Sequence, residues 1–385
     1  MRKFIITLLF VHTLMAPGIL RCQDRSLQAG LNGYVSNLQN MIFEDIEGEW
    51  IDGNIIHNRL NFHLYAGKHI SFAMEMRNRF ITGDMISLNP AYAERLAADR
   101  GLMDLTCNIF SERSFILNTN IDRLWVGFTM GSVQVTAGRQ RINWGQTFVW
   151  NPNDIFNAYS YFDFDYVEKP GSDALRLQVF PDYSSTVELA ASLDSEKDLT
   201  MAAMYRFNHW GYDIQFLAGT FDSRDLVFGT GWSGAFGSTS FRGELSWFQP
   251  LEHFSDTTGT GLFTVGFDRA FSDNGMLQLQ AMYCNEPLDL DNIAAFYSRD
   301  LSAKSLALSR FSLFGSMSYP VSSLFSISLS AIWYPGLDGF YAGPSADISL
   351  EENLDFSFIL QHFNAELSDN RRKMNLVFLR MKYSF

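Results

Sequence analysis

Arginines and carboxylates alternate with apolar residues along several short stretches of this 385-residue sequence. Alternation places them on one face of a strand, where they would line an aqueous lumen and set its ion preference. The predicted pore-lining residues are Arg59, Arg77, Arg79, Arg176, Arg206, Arg242, Glu244 and Arg310. Two interpretations stay open: a wall that favours anions, or neutralising arginine–carboxylate pairs across neighbouring strands, such as Arg59 with Glu75.

An aromatic segment between residues 142 and 172 is the second candidate site. An exposed segment this apolar would be a binding surface. Folded into a lumen, it would form a constriction whose rings contact a solute and whose amides and carboxylates bind hydroxyls. The predicted constriction residues are Trp144, Phe148, Trp150, Asn151, Asp154, Tyr159 and Tyr161. The alternative is a packed plug or rim that only stabilises the barrel mouth.

The residue types that support catalysis or metal binding lack the spacing that those functions need. The sequence contains no GxSxG motif, and its three cysteines lie too far apart for a zinc site. His57 and His63 share a strand face but are too widely separated for a shared metal ion. Asp154, Asp163, Asp165 and Glu168 could bind Ca²⁺, although a solvated acidic loop is the simpler interpretation. We therefore predict no enzyme, no cofactor and no metal site.

Composition and the N-terminal segment restrict the protein class further. The formal net charge of −13 argues against a nucleic-acid partner, because phosphate binding requires a basic surface. Residues 1–22 have the basic start and short apolar core of a signal peptide, with lipidation of Cys22 as an alternative. No later apolar run approaches the roughly 18 residues of a membrane helix. An exported, aromatic-rich and weakly charged chain of this kind is a secreted β protein or a membrane barrel.

Period-2 alternation dominates residues 23–385 and predicts strands with one apolar and one polar face. In residues 323–333, for example, Ile327, Leu329 and Trp333 lie opposite Ser326, Ser328 and Ser330. We predict an all-β, up-and-down antiparallel transmembrane barrel of about 18 strands, with 16 as the alternative count. The first two strands are predicted at 27–36 and 55–66, and another at 307–318. The one predicted short helix lies at residues 90–100.

The lengths of the predicted connections favour a barrel over a secreted β-sandwich. Every second connection has six residues or fewer, and the long connections fall on the other set. Outer-membrane barrels have this pattern, with short periplasmic turns and long outer loops. The predicted organisation is a single barrel domain, 23–385, with long outer loops at 82–114, 142–172 and 285–306.

The C-terminal residues 380–385 (RMKYSF) resemble the last strand of bacterial outer-membrane barrels, which ends in an aromatic residue after alternating apolar positions. The resemblance implies insertion into outer-membrane lipid by the barrel-assembly machinery.

A second resemblance covers about residues 133–193. The segment GRQRINWG is followed by NPND and by KPGSD. This pattern resembles the DUF1302 family of proteobacterial barrels and also alginate-export-type porins. The matching residues are Gly138, Arg139, Gln140, Trp144, Gly145, Asn151, Pro152, Asp154, Pro170 and Gly171.

Together these observations predict a porin-like channel in the cell outer membrane for passive diffusion of small hydrophilic solutes. If the arginines form a wall that favours anions, these solutes would be anionic. One alternative is a non-transporting surface barrel whose long loops bind a polysaccharide or a partner protein. The other alternative is an outer-membrane hydrolase.

Overall fold

The computed structural model describes residues 27–162, 168–252, 254–288, 301–367 and 370–385. The predicted signal peptide at 1–22 lies outside the described residues, as do Asp163, Asp165 and much of the predicted loop 285–306. The described chain is an antiparallel sheet closed on itself. Among the described residues, no helix is long and apolar enough to cross a membrane.

The elements follow one another around the sheet in chain order, apart from one insertion. The strands are β1 (Leu27–Phe43), β2 (Trp50–Ala66), β3 (Ile70–Gly83), β4 (Thr106–Ser111), β5 (Phe115–Met130), β6 (Val133–Gln140), β7 (Ser172–Asp182), β8 (Ser185–Leu193), β9 (Leu199–His209), β10 (Tyr212–Phe221), β11 (Asp225–Phe236), β12 (Thr239–Pro250), β13 (Thr260–Ala270), β14 (Met276–Cys284), β15 (Phe311–Ser322), β16 (Phe325–Tyr334), β17 (Gly339–Glu351), β18 (Leu354–Leu367) and β19 (Asn370–Ser384). Short α-helices span Asp84–Ser87 and Tyr92–Ala97, and 3-10 turns span Ala303–Ser305 and Pro335–Leu337.

The first and last strands close the barrel. β1 pairs with β2 on one side and with β19 on the other, from Tyr34 opposite Ser384 to Phe43 opposite Asn375. The backbone groups of Gly33 and Phe385 exchange two hydrogen bonds of 2.9 Å. Because β3 pairs directly with β5, β4 is an addition to the wall, which consists of 18 strands. The predicted barrel and its strand number are confirmed.

The two faces of each strand differ as the alternation predicted. On β16, Ile327, Leu329 and Trp333 are exposed on the outer surface, whereas Ser330 and Ile332 are buried inside. Outward apolar side chains recur on nearly every strand, because the outer surface of a membrane barrel contacts hydrocarbon. Short turns of two to five residues connect β2 to β3, β5 to β6, and then β7 to β8 and every second strand pair through β17 to β18. We call this the turn end of the barrel, and the opposite end the loop end.

The first two strands extend farther toward the loop end than we predicted. β1 ends at Phe43 rather than at residue 36, and β2 begins at Trp50 rather than at 55. The extension of β1 carries Leu38, which packs with Ile55 of β2 and with Ile86 of the short helix Asp84–Ser87. A small apolar core of the loop region therefore stabilises the longer strands. The helix predicted within residues 90–100 is present as Tyr92–Ala97.

The loop predicted at 82–114 contains an additional strand, β4, which repairs a gap in the wall. β6 ends at Gln140, and its last pair with β5 joins Arg139 to Leu124. The loop-end half of β5, before Leu124, therefore has no partner in β6. β4 pairs there, with Thr106 opposite Asn120 and Ser111 opposite Ile116. An isolated bridge between Gly101 and Asp194 joins the same segment to the end of β8.

Arg139 fastens this inserted segment to the barrel. Its guanidinium lies 2.8 Å from a carboxylate oxygen of Asp99 in the segment and 2.8 Å from one of Asp173 on β7. It also donates a 2.5 Å hydrogen bond to the carbonyl of Met103. All three charged side chains are almost completely buried. One buried cation therefore joins β6, β7 and the segment that covers the gap above them.

We expect Arg139→Ala to lower the free energy of unfolding by about 3–5 kcal/mol, because it leaves two buried carboxylates without their cation. The measurement is the temperature at which the folded band is lost in heat-modifiability gels, together with proteolysis within residues 99–105. Arg224→Ala is the control, since its ion pair with Asp198 is largely exposed and contributes at most about 1 kcal/mol. Equal midpoints for the two variants would contradict the assigned role of Arg139.

Candidate functional site

The aromatic segment after β6 folds into the barrel. We call its described part, residues 141–162, the lumen loop. Trp144, Val149, Trp150, Ile155 and Phe162 of this loop are all at most 6% exposed. They pack against inward side chains of the wall in one apolar cluster. The loop is therefore seated against the inner wall, which removes its apolar side chains from water.

A carboxylate on β12 holds the tight centre of the lumen loop. Glu244 is fully buried. Its carboxylate accepts hydrogen bonds from the backbone N–H groups of Gln146, Thr147 (2.7 Å) and Asn153 (2.9 Å). The hydroxyl of Thr147 donates a fourth bond of 2.9 Å. Because these donors come from both ends of the bend, one side chain fixes its shape.

Inward residues on the neighbouring hairpins hold the loop on either side of Glu244. On β14, the side-chain oxygen of Gln280 accepts from Val149 N at 2.8 Å, and its nitrogen donates to Trp150 O at 3.0 Å. On β10, Gln215 donates to the carbonyl of Trp144 at 2.7 Å. On β8, Glu188 accepts from the indole of the same tryptophan at 2.6 Å. The four anchors Glu188, Gln215, Glu244 and Gln280 thus occupy every second strand.

The far end of the described loop reaches the opposite part of the wall. Phe162 packs edge-on against Tyr341 of β17 and Phe363 of β18, with ring centroids 4.9 and 5.1 Å apart. The side chain of Gln361 on β18 donates to the carbonyl of Phe162 at 3.3 Å. The lumen loop therefore follows the inner wall from β8 to β18.

Where the chain returns toward β7, it contacts an ion cluster on β2, β3 and β5. Nitrogens of the Arg59 guanidinium lie 2.5 Å from a carboxylate oxygen of Glu75 and 2.7 Å from one of Asp122. A third nitrogen lies 3.8 Å from a carboxylate oxygen of Glu168 in the returning segment. A β-bulge in β5 opposite Glu75 and Met76 turns Asp122, together with Arg123, toward the interior. The irregularity thus supplies a second carboxylate for one buried arginine.

The predicted pore-lining arginines on the strands lie on the inner face, and several are paired with carboxylates. Arg176 pairs with Glu188 at 2.7 Å, and Arg242 pairs with Asp268 at 2.8 Å. Arg59 pairs with Glu75, as the neutralising interpretation predicted. The other inward arginines have different surroundings: Arg77 donates to His57, Arg79 donates to Asn118, and Arg206 is half-buried on β9.

Arg310 was wrongly assigned to a strand. β15 begins at Phe311, and Arg310 is exposed at the loop end just before it. The predicted strand at 307–318 begins later because Ala307, Leu308 and Ser309 are buried in a loop that packs inside the barrel. The apolar run Leu306, Ala307 and Leu308 is compatible with a strand, but its burial comes from tertiary packing.

Asp154 is a second fully buried carboxyl group in the lumen loop. Its nearest partners are distant: Trp144 N at 3.4 Å and an Arg141 guanidinium nitrogen at 3.5 Å. Burial raises the pKa of Asp154 to about 7, and the nearby Glu244 charge adds to this effect. Within the described residues no group of three His, Cys, Asp or Glu side chains could hold a metal ion. The calcium hypothesis also involves Asp163 and Asp165, which lie outside these residues.

The motif residues around the loop have identifiable structural roles. Gly138 has φ of +114°, and a Cβ there would lie 2.2 Å from the carbonyl oxygen of Leu124. Only glycine fits this position. The amide of Gln140 donates to the carbonyls of Thr136 and Ala174, both at 3.1 Å, where the chain leaves the sheet. A Cβ on Gly171 would lie 2.9 Å from the carbonyl oxygen of Asp122. The remaining motif residues Gly145, Asn151, Pro152 and Asp154 form the bend or lie next to it, and Pro170 precedes the return to β7.

The anchors Gln215 and Gln280 were missed in the sequence. The signal that could have identified them is an isolated glutamine on the inward face of a strand whose outward neighbours are apolar. Ile214 and Phe216 flank Gln215 in this way, and Leu279 and Ala281 flank Gln280. Alternation indicates the direction of such a side chain but not its hydrogen-bond partner.

A closed antiparallel barrel with an apolar outer belt, a polar inner wall and long loops at one end is a transmembrane β-barrel of the bacterial outer membrane. The chain belongs to the DUF1302 family, described as "Protein of unknown function", whose model matches residues 110–352. The resemblance drawn from the GRQ and NPND segments is therefore confirmed. No curated protein matches the sequence.

Several solved structures share the fold. Pseudomonas aeruginosa OccK11 (OpdR) aligns with a TM-score of 0.58 and 7% identity over 93% of this chain and 96% of that chain. OccK8 (OprE) of the same organism aligns at 0.57 and 8% identity, over 93% and 98%. Acinetobacter baumannii OccAB4 aligns at 0.54 and 7% identity, over 92% and 98%. Similarity at such low identity establishes a common architecture.

We expect Glu244→Ala to release the lumen loop, because three backbone N–H groups would lose their acceptor inside the barrel. At about 1–3 kcal/mol for each unsatisfied group, the loss should be at least about 3 kcal/mol. The measurement is chymotrypsin cleavage after Phe148, Trp150 or Tyr159 in the folded protein. Glu196→Ala removes an equally charged but exposed side chain and serves as the control. Cleavage no faster than in that control would refute the anchoring role.

We expect stability to fall as pH rises from about 4 to 7, because the folded state holds a proton on Asp154 that the unfolded state releases. The pKa in the folded protein, about 7, exceeds the ordinary 3.8, so this contribution is complete below pH 3.8 and lost near pH 7. The difference corresponds to about 4 kcal/mol. Asp154→Asn, which resembles the protonated carboxyl, should reduce the change in the thermal unfolding midpoint between pH 4 and pH 7. Parallel pH curves for the two proteins would argue against this assignment.

Proposed function

We propose that the protein is a passive channel through which small hydrophilic solutes diffuse across the outer membrane, with the lumen loop as its constriction. The observation that carries this proposal is the attachment of the loop to the inner wall by side chains of four separate strands, Glu188, Gln215, Glu244 and Gln280. A segment that is fixed this firmly along the wall narrows the lumen without needing a separate plug domain.

At the turn end of the barrel, the inner wall supports a remaining polar path. A cavity of about 390 Å³ opens at the turn end between β15 and β19. Its lining includes serines together with Asp347, Asp355, Arg380 and Lys382. Polar, charged walls favour hydrated solutes, and the mixture of signs suits small polar molecules. We infer a transport role for this interior, in preference to a catalytic one.

A preference for anions is the finer part of the proposal. The ion pairs of Arg59, Arg176 and Arg242 support the neutralising interpretation of those three residues. Arg380 instead donates to the Ser357 hydroxyl at 3.2 Å, and Lys382 lies over the Tyr34 ring at 4.4 Å. In the described part of the chain, no ion pair joins either cation to a carboxylate. Selectivity for anions would therefore come from such unpaired cations.

We also propose that the barrel-assembly machinery inserts the chain. Support comes from β19, whose outward residues Val377, Leu379, Met381 and Tyr383 alternate with the inward residues Phe378, Arg380 and Lys382.

Single-channel recording in planar bilayers tests the channel and its constriction. We expect stepwise currents from the full-length protein, and a larger current per channel when residues 148–161 are deleted, because the deletion removes most of the lumen loop. Deletion of residues 255–258 from an exposed connection is the control and should leave the current unchanged. A folded barrel that conducts nothing would refute the channel and favour the surface-binding alternative. If the barrel conducts but its current per channel is unchanged by deletion of residues 148–161, the lumen loop is not the constriction.

A further inference from the structure

The outer surface of β1, β2, β3 and β5 carries a group of uncharged polar side chains. Their neighbours along the strands, such as Leu38, Arg59 and Asn118, are buried on the inner side of the wall. Because side chains alternate between the two faces of a strand, the polar group faces outward. We call it the amide ladder, and its members are Asn37, Gln39, Asn54, Asn58, Asn78 and Thr119.

Hydrogen bonds connect the amide ladder from strand to strand. The side-chain amides of Asn37 and Asn54 exchange bonds of 3.0 and 3.2 Å, and Asn54 also donates to Gln39 at 2.9 Å. Farther along the wall, Asn78 donates to Asn58 at 3.2 Å and accepts from the threonine of β5 at 2.8 Å. A primary amide has two N–H donors and an oxygen that can accept twice. These contacts therefore use only part of the hydrogen-bonding capacity of the ladder.

The amide ladder lies within the apolar outer belt of the barrel. In the pairing of β1 with β19, Asn37 is directly opposite Met381, an exposed outward residue of the belt. On β2 the exposed Ile56 lies between two ladder residues, and on β3 the exposed Phe80 lies beyond the ladder toward the loop end. An amide that faces hydrocarbon loses its hydrogen bonds to water, which costs free energy. This part of the surface is therefore poorly suited to contact with lipid tails.

The order of polar and apolar residues favours a protein as the occupant of this surface. From the turn end to the loop end of β2, the outward residues Leu60, Asn58, Ile56 and Asn54 alternate between apolar and polar. A lipid molecule changes from hydrocarbon to polar head group only once along its length, so it does not match this order. Outward positions of β14, such as Leu279, carry no amide and match lipid tails.

We propose that the amide ladder is a contact surface between copies of this chain in the outer membrane. All copies insert with their loop ends on the same side, so a symmetric assembly has its axis normal to the membrane. Residues of equal depth then face each other, and amides meet amides while apolar side chains meet apolar side chains. A primary amide both donates and accepts, so it is complementary to its own copy, and the ladder has no charge that would repel a second copy.

Photo-crosslinking in intact cells identifies what covers the ladder. The variant Asn78→p-benzoylphenylalanine places a photoreactive ring on the ladder, and illumination links this ring to whatever lies beside it. We expect a product with the mass of two chains, in which mass spectrometry finds peptides of this chain alone. Leu279→p-benzoylphenylalanine, on the outward face of β14, is the control and should give no such product. A product that contains only another protein or only lipopolysaccharide would overturn the proposal.

Native mass spectrometry of the full-length barrel in lipid nanodiscs adds a second readout. We expect more than one copy for the unaltered protein and a shift to one copy for the double variant Asn58→Leu/Asn78→Leu. Leucine suits lipid, so this variant should keep the folded band in heat-modifiability gels while it loses the contact between copies. Thr230→Leu, on the outward face of β11, should leave the number of copies unchanged. A single copy of the unaltered protein, or an assembly that persists in the double variant, would refute the role of the amide ladder.

Discussion

The whole architecture depends on one constraint: inside a bilayer, every backbone N–H and C=O must find its partner within the protein. Closure of β1 against β19 meets this requirement around the barrel. The same requirement explains the least regular part of the wall. β6 leaves the sheet at Gln140 so that the following chain can enter the lumen, and the vacated edge of β5 is then covered by β4. The buried charge of Arg139 keeps this replacement in place.

The interior is organised by contacts between the wall and the lumen loop more than by exposed pore charges. Glu244 illustrates the difference. Its inward direction follows from strand alternation, but its carboxylate is fully occupied by backbone donors of the loop. Arg59 is similar, since three carboxylates surround it. A charged side chain that faces a lumen therefore has to be examined for its partners before it is given a role in selectivity.

Local patterns in the sequence predicted the barrel well. Side-chain direction has a period of two residues, and the length of each turn is a local property, so strand number and the parity of the connections could be read from short windows. The inward direction of Glu244 could be predicted for the same reason. The aromatic character of residues 142–172 also predicted a segment that avoids water, with the lumen as one of its possible locations.

Features that arise from contacts between distant segments could not be predicted in this way. β4 forms because the edge of β5 beyond the end of β6 is available for pairing. The residues Thr106–Ser111 alone do not show that this edge is available. The bulge that turns Asp122 inward depends on the register between β3 and β5. Arg310 was misplaced because the buried apolar run before it packs as a loop inside the barrel and not as part of a strand. In each case the structure depends on contacts with another segment of the chain.

The spacing of the loop anchors has an evolutionary consequence. Glu188, Gln215, Glu244 and Gln280 lie on β8, β10, β12 and β14, so each hairpin of this wall carries one of them. Antiparallel closure requires an even strand number, and barrels therefore gain or lose whole hairpins. Duplication of a hairpin in this region would copy an anchor along with its two strands. The perimeter of the barrel and the support for its inner segment could thus enlarge together in a single genetic event.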